Sequence, residues 1–324
     1  MKEIGGYFEF ENLVKNEYHH NLLSFSSARN CLLYVIKKRN INKIFLPYYL
    51  CDVIKNTCYK NQIEVVFYEI DERFFPIMDK NLVNKDSYLY VVNYYGILNE
   101  EDIKVLKNKY KYIILDNTHS FFGKSINGID TIYNCRKYFG VPDGGYLATD
   151  LDSDDTIKYG QSFNRINHLI GRYENSAGEF YQQFKNADLT FDEEELFYMS
   201  KFTKNLMGAI DYDYVRLRRK NNCDYLKKML KNYNELNLED KDIDFMYPLL
   251  IKDAGELRNE LISNKIFVPV LWPNVLEDTM SSSIEYRYAN DIIPLPIDQR
   301  YDIEDMKSIV DLIKKFMSKR GEIK

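Results

Sequence analysis

Residues 87–120 read "SYLYVVNYYGILNEEDIKVLKNKYKYIILDNTHS", and the fold of the whole chain turns on this stretch. "SYLYVVNYYG" (87–96) reads as a strand that ends on aromatics and a glycine. "EEDIKVLKNKY" (100–110) places apolar residues on helical spacing with charges between them, the pattern of an amphipathic helix. "YIILDNTHS" (112–120) is a second strand that runs straight into polar residues. Strand, helix and strand in so short a span make one unit of an α/β sheet with helices on its faces. In such sheets ligands gather beyond the carboxyl ends of the strands. Both strands of this unit put their polar or aromatic residues there.

The same alternation continues outward. "IFLP" (44–47) and "EVVFYEI" (64–70) read as short buried strands, and "GGYLATD" (144–150) resumes strand character. "RNCLLYVIK" (29–37) is helical, with Ser26 and Ser27 placed to cap its start. From about 155 to 235 the pattern is mainly helical. "FMYPLLI" (245–251), "GELRNELISN" (255–264) and "IFVPVLW" (266–272) then read as strand, helix and strand. "DIIPLPID" (291–298) and a last helix over 303–317 follow. The expected division is a large domain over 1–215, with a mainly parallel sheet flanked by helices, and a smaller C-terminal α+β domain over 216–324. There is no internal repeat and no Pro/Ser-rich linker, so the two parts are expected to pack tightly.

Composition excludes several function classes. The 324 residues carry 44 basic and 49 acidic side chains, a net charge of −5, and a pI of about 5.6. A mildly acidic chain is a poor non-specific partner for nucleic acid. No run approaches the roughly 18 apolar residues of a membrane span, so no membrane partner is expected. "MKEIGGYFEFEN" at the start lacks an apolar signal region. The five cysteines (31, 51, 58, 135, 223) include no CxxC pair. That usage suits a reduced, cytoplasmic protein without a zinc site. His19 and His20 read as surface residues, since nothing nearby completes a metal site.

Three pieces at predicted sheet edges carry chemistry. "SSARNCLL" (26–33) is a helix start whose unpaired N–H groups suit a phosphate, although most capped helix starts bind nothing. Asp116 follows four apolar residues, with His119 three positions on; an acid there is often only a turn residue. Lys137 lies in "YNCRKYFGVPDGG" (133–145), where a lone lysine is ordinarily solvated. Together, in that order along an α/β domain, they are the parts needed to hold pyridoxal 5′-phosphate (PLP). The lysine carries the cofactor, the acid keeps the pyridine nitrogen protonated, and the helix start takes the phosphate.

At this point the chain resembles the DegT/DnrJ/EryC1/StrS sugar aminotransferases, PLP enzymes of fold type I. "GGYFEFE", "SSARNCL", "IFLPYYLCDVI", "VVNYYG", "IILDNTHSFFG", "RKYFGVPDGGYLATD", "YPLLIKDAGELRNELISNKIFVPVLWP" and "IIPLPIDQRY" follow that family's order and rough spacing over almost the whole chain. The resemblance implies that Lys137 is the catalytic lysine and Asp116 the partner of the ring nitrogen. It puts His119 beside the ring hydroxyl, and Ser27, Ala28, Arg29 and Asn134 around the phosphate. It also implies that Gly5, Gly6 and Tyr7 return to line the substrate side. Trp272 is either packing or substrate-lining, and Arg300 either a solvated charge or a grip on a carboxylate or phosphate. Glutamate as amino donor, a keto-sugar acceptor, linkage of that sugar to a nucleotide in surface-polysaccharide or amino-sugar synthesis, and a homodimer are further implications.

This sequence also departs from the family. Asn134 replaces a serine, and Tyr49-Leu50-Cys51 stands where an aromatic normally stacks on the cofactor. The family's Asn-Tyr-Arg stretch has no counterpart near "YMSKFTKNL" (198–206). Two alternatives stay open: a PLP enzyme acting on a small non-nucleotide ketone or amine, and a non-catalytic PLP-binding protein.

Overall fold

The computed structural model of the chain describes residues 9–14, 16–192 and 194–321. Among these, eight strands form one sheet: β1 (Leu23–Phe25), β2 (Lys43–Pro47), β3 (Glu64–Ile70), β4 (Pro76–Ile77), β5 (Ser87–Val92), β6 (Ile113–Asp116), β7 (Asp130–Asn134) and β8 (Gly145–Ala148). Their order is β1-β8-β7-β6-β5-β2-β3-β4. The five strands from β7 to β3 run parallel, whereas β8, β1 and β4 add on antiparallel. Parallel strands are covered on both faces, which is why these segments read as near-continuous apolar runs. Leu46, Leu89, Ile114, Leu115 and Ile132 are all fully buried.

The helices follow local signals. α1 (Ala28–Arg39) starts at Ser27, whose hydroxyl accepts from the Asn30 N–H, and packs against β1, β7 and β8. α2 (Asp52–Lys60) links β2 to β3. α3 (Glu100–Tyr110) links β5 to β6 and opens on a capping box between Asn99 and Asp102. Chain order matters for the site: from β2 the path goes to β3 on one side, while β5, β6 and β7 build away on the other. The connections that leave the carboxyl ends of β2 and β5 therefore head to opposite sides of the sheet, the kind of switch point at which open α/β sheets bind ligands.

Beyond β8 come α4 (Asn167–Glu174), α5 (Tyr181–Leu189), α6 (Lys201–Met207) and the long α7 (Tyr212–Leu230). The C-terminal α+β region is built on an antiparallel pair, β9 (Met246–Leu250) and β10 (Ile292–Pro296). Around it lie α8 (Ala254–Ser263), α9 (Pro273–Asp278), α10 (Ile284–Asp291) and α11 (Ile303–Lys319). Pro248 and Pro294 face each other in this ribbon, which is tolerable because each strand keeps one edge without a ladder.

One expectation needs correcting: residues 266–272 form no strand. Pro269 cannot donate to a ladder, and Phe267 points to solvent rather than into a sheet face. The segment instead carries Trp272 across to the large sheet. No helix among the described residues is long and apolar enough to cross a membrane.

Candidate active site

Asp116 is the last residue of β6 and is buried. Its Oδ2 accepts from the Tyr90 hydroxyl at 2.8 Å and its Oδ1 from the Thr118 N–H at 2.8 Å. Burial pushes this carboxyl above the usual range, while those two bonds and the charge of Lys137 pull it back down. His119 lies in the loop just beyond and is also buried. Its Nδ1 accepts from the Tyr95 N–H at 3.4 Å, which leaves the ring proton on Nε2. Burial, reinforced by the charge of Lys137, holds its pKa well below that of free histidine, so the ring is neutral. Tyr95 makes that bond from a left-handed backbone conformation, φ 56, in the 3-10 turn after β5.

Lys137 sits on the loop between β7 and β8, a short 3-10 turn over Cys135–Lys137. Asn134 caps that turn through its side-chain oxygen, which accepts from the Arg136 N–H at 3.0 Å. Within the turn the two basic residues diverge. The Arg136 guanidinium turns to Asp188 (2.9 Å) and the Phe191 ring. Lys137 acts electrostatically on Asp116, His119 and Cys51 together. The loop closes at its base through the Cys135 N–H to the Gly144 carbonyl, and the Gly144 N–H to the Ser26 carbonyl at 2.6 Å.

That last bond ties the lysine loop to the start of α1. Gly145 follows, and a Cβ there would lie 2.8 Å from the Ala28 nitrogen and the Ser27 carbonyl carbon. Glycine is what lets strand and helix start approach so closely. Ser27 spends its hydroxyl on the cap, whereas the N–H groups of Ala28 and Arg29 have no acceptor among the described residues. The Arg29 side chain pairs with Asp192 at 2.6 Å. A carboxylate stands at this helix start too: Glu194 accepts from Ser26 (2.6 Å) and Arg165 (2.7 Å).

Trp272 reaches the site from the C-terminal region. Its ring is 5.8 Å from that of His119 in a stacked orientation and 5.3 Å from Tyr49. Arg300 is elsewhere: exposed, and gripping Asp298 of its own chain through two nitrogens at 2.6 and 2.8 Å. Gly5, Gly6 and Tyr7 lie outside the described residues. His19 differs from expectation, since its ring packs against Phe121, Tyr133 and Tyr146 and its Nε2 meets the Phe121 carbonyl at 2.9 Å.

Sequence reading missed Tyr90, Tyr95 and Phe245. Phe245 stacks on His119 at 4.1 Å, with 12° between the planes. For Tyr90 a signal existed in the strand alternation around "SYLYVV". For Phe245, so distant in sequence, there was none.

No protein-family model and no curated protein matches the sequence. Solved structures do match it. Spr1654 of Streptococcus pneumoniae, a candidate sugar aminotransferase in its PLP form, superposes with a TM-score of 0.64 at 15% identity, over 92% of this chain and 87% of that one. Helicobacter pylori PseC, an aminotransferase involved in the biosynthesis of pseudoaminic acid, gives 0.61 at 15% identity over 91% and 86%. A DegT DnrJ EryC1 StrS aminotransferase from Brucella abortus gives 0.61 at 13% identity over 91% and 85%. At such identities the likeness speaks for architecture alone, and it runs through nearly the whole of both chains. The chain has the fold of the DegT/DnrJ/EryC1/StrS aminotransferases.

Proposed function

We propose that this protein is a PLP-dependent aminotransferase that moves an amino group from a donor such as glutamate to a nucleotide-linked keto-sugar. The observation that carries the reading is the convergence of three groups at neighbouring strand ends: the buried Asp116 closes β6, the buried His119 follows it, and Lys137 lies in the turn after the adjacent parallel strand β7. The donor set fits PLP. Asp116 suits the ring nitrogen, the Nε2–H of His119 suits the ring hydroxyl, and the N–H groups of Ala28 and Arg29, without an acceptor among the described residues, suit the phosphate, with Asn134 beside them. When bound, PLP supplies the electron sink that stabilises negative charge at the α-carbon of an amine.

In this reading Lys137 takes the proton from the donor's α-carbon and returns it later in the cycle, as base and then acid. Asp116 keeps a proton on the ring nitrogen. Trp272, beside the His119 and Tyr49 rings, excludes water from one side. Arg300 serves the substrate only if its pair with Asp298 opens. The working unit is a homodimer in the cytoplasm. Supporting a partner copy, large apolar side chains stand exposed along residues 159–189, with Tyr173 at 93% and Phe163 at 66% exposure.

The test is covalent. Borohydride reduction of the PLP-treated protein, followed by peptide mapping, should place the pyridoxyl label on Lys137. A label on Lys124 or on any other lysine overturns the assignment. Incubation with glutamate should change the cofactor's absorbance; an inert spectrum marks a binder rather than a catalyst.

A further inference from the structure

The residue after the lysine is held by residues far along the chain. The carbonyl of Tyr138 accepts from Gln299 Nε2 at 2.8 Å and from Arg219 Nη2 at 3.2 Å. Its hydroxyl donates to Asp244 at 2.8 Å, and the Arg219 guanidinium lies 4.4 Å from its ring centroid. Arg219, on α7, is only 1% exposed. Its other donors go to the Asp244 and Phe245 carbonyls, at 2.7 and 3.2 Å, and to Gln299 Oε1 at 3.0 Å.

This is a costly arrangement for mere packing. A buried guanidinium pays a large desolvation penalty, and an apolar side chain would bury α7 without it. Among the described residues no carboxylate comes within ion-pair distance of Arg219; carbonyls and one amide satisfy it instead. What the fork achieves is geometric. One rigid plane joins the residue beside Lys137 to Phe245, the residue whose ring stacks on His119.

We propose that Arg219 is a positioning residue: through Tyr138 and Phe245 it fixes the Lys137 amine and the His119 ring relative to each other, coupling α7 and the C-terminal region to the reactive centre. This rests on the reading of Lys137 as the reactive amine. Lysine at position 219 keeps a positive charge but loses the planar fork, so the two chain segments are no longer held in one frame.

The experiment is competitive acetylation of the cofactor-free protein across pH, with the rate at each lysine read by mass spectrometry. In Arg219→Lys the pH profile of Lys137 should shift away from that of the wild type, while the other lysines keep theirs. With cofactor and donor, kcat should fall by roughly tenfold or more with little change in KM, the mark of misplacement rather than lost binding. Gln299→Ala, which removes one of the two bonds to the Tyr138 carbonyl at a half-buried site, should shift Lys137 in the same direction by less. If Arg219→Lys does not fold, Gln299→Ala decides alone. A folded variant with an unchanged Lys137 profile makes Arg219 a structural residue and ends the proposal, even if its melting point drops. Borohydride labelling of the wild type runs in parallel: a label away from Lys137 defeats the functional reading, whereas the acetylation profiles still report whether Arg219 sets this amine.

Discussion

Two hydrogen bonds and the charge of Lys137 pull down a carboxyl that burial raises at Asp116. Asparagine at this position keeps the shape and the bond from the Thr118 N–H but carries no charge to hold a proton on a ring nitrogen. Asp116→Asn should therefore lower kcat by at least ~100-fold, the scale on which a single acid–base group acts, with PLP still bound by absorbance. Wild-type turnover would reduce Asp116 to a turn residue. His119 carries the complementary lesson. Its neutrality follows from burial first and the nearby lysine second, and its tautomer from a single N–H donated by Tyr95. The sequence offered His119 as a candidate because it stands three residues past Asp116. Its protonation, however, depends on groups that close over it from the turn after β5, through the Tyr95 N–H, and from just before β9, through the Phe245 ring.

At the scale of elements, the start of α1 is where helix and sheet come closest. Gly145→Ala puts a Cβ against backbone on the opposing element, where neither side can swing away. Overpacking of that kind costs roughly 1–3 kcal/mol, and here the strain falls on Ser27 and on the Ala28 N–H, one of the two proposed for the phosphate. We expect a lower denaturant midpoint together with weaker PLP binding by fluorescence titration. A variant with both quantities unchanged would remove the phosphate from this helix start. The apolar runs that became β2, β5 and β6 were readable because burial on both faces demands apolar residues at nearly every position, a purely local requirement. β1 and β4 are too short to leave a pattern. Residues 266–272 had strand-like composition, but a proline and a solvent-facing phenylalanine sent them elsewhere.

On the scale of the molecule, the segment before β1 is pinned by His19, whose pKa is lowered to about 4 by burial, partly offset by the Phe121 carbonyl. A histidine folded in at about 4 and near 6.5 when unfolded takes up its extra proton only in the unfolded state between those values. Its contribution to stability is complete above pH 6.5 and drains away as pH falls toward 4, by about 2–3 kcal/mol at pH 4.5. Urea unfolding of wild type and His19→Gln at pH 7 and 4.5 should show the wild type losing more; parallel losses would mean that the ring is not buried in solution. The exposed aromatics of residues 159–189 lead to a second expectation at this scale. The wild type should sediment as a dimer, and Tyr173→Glu combined with Phe163→Glu should give a folded monomer; a monomeric wild type rejects the dimer. Read alone, the chain announced an α/β sheet and three candidate site residues, because buried parallel strands and polar strand ends are written in consecutive residues. Tyr90, Phe245, Arg219 and the seat of Trp272 were beyond such a reading. Their contacts join segments far apart in the chain, and only the packing of α7, β9 and the stretch before α9 against the large sheet brings them together.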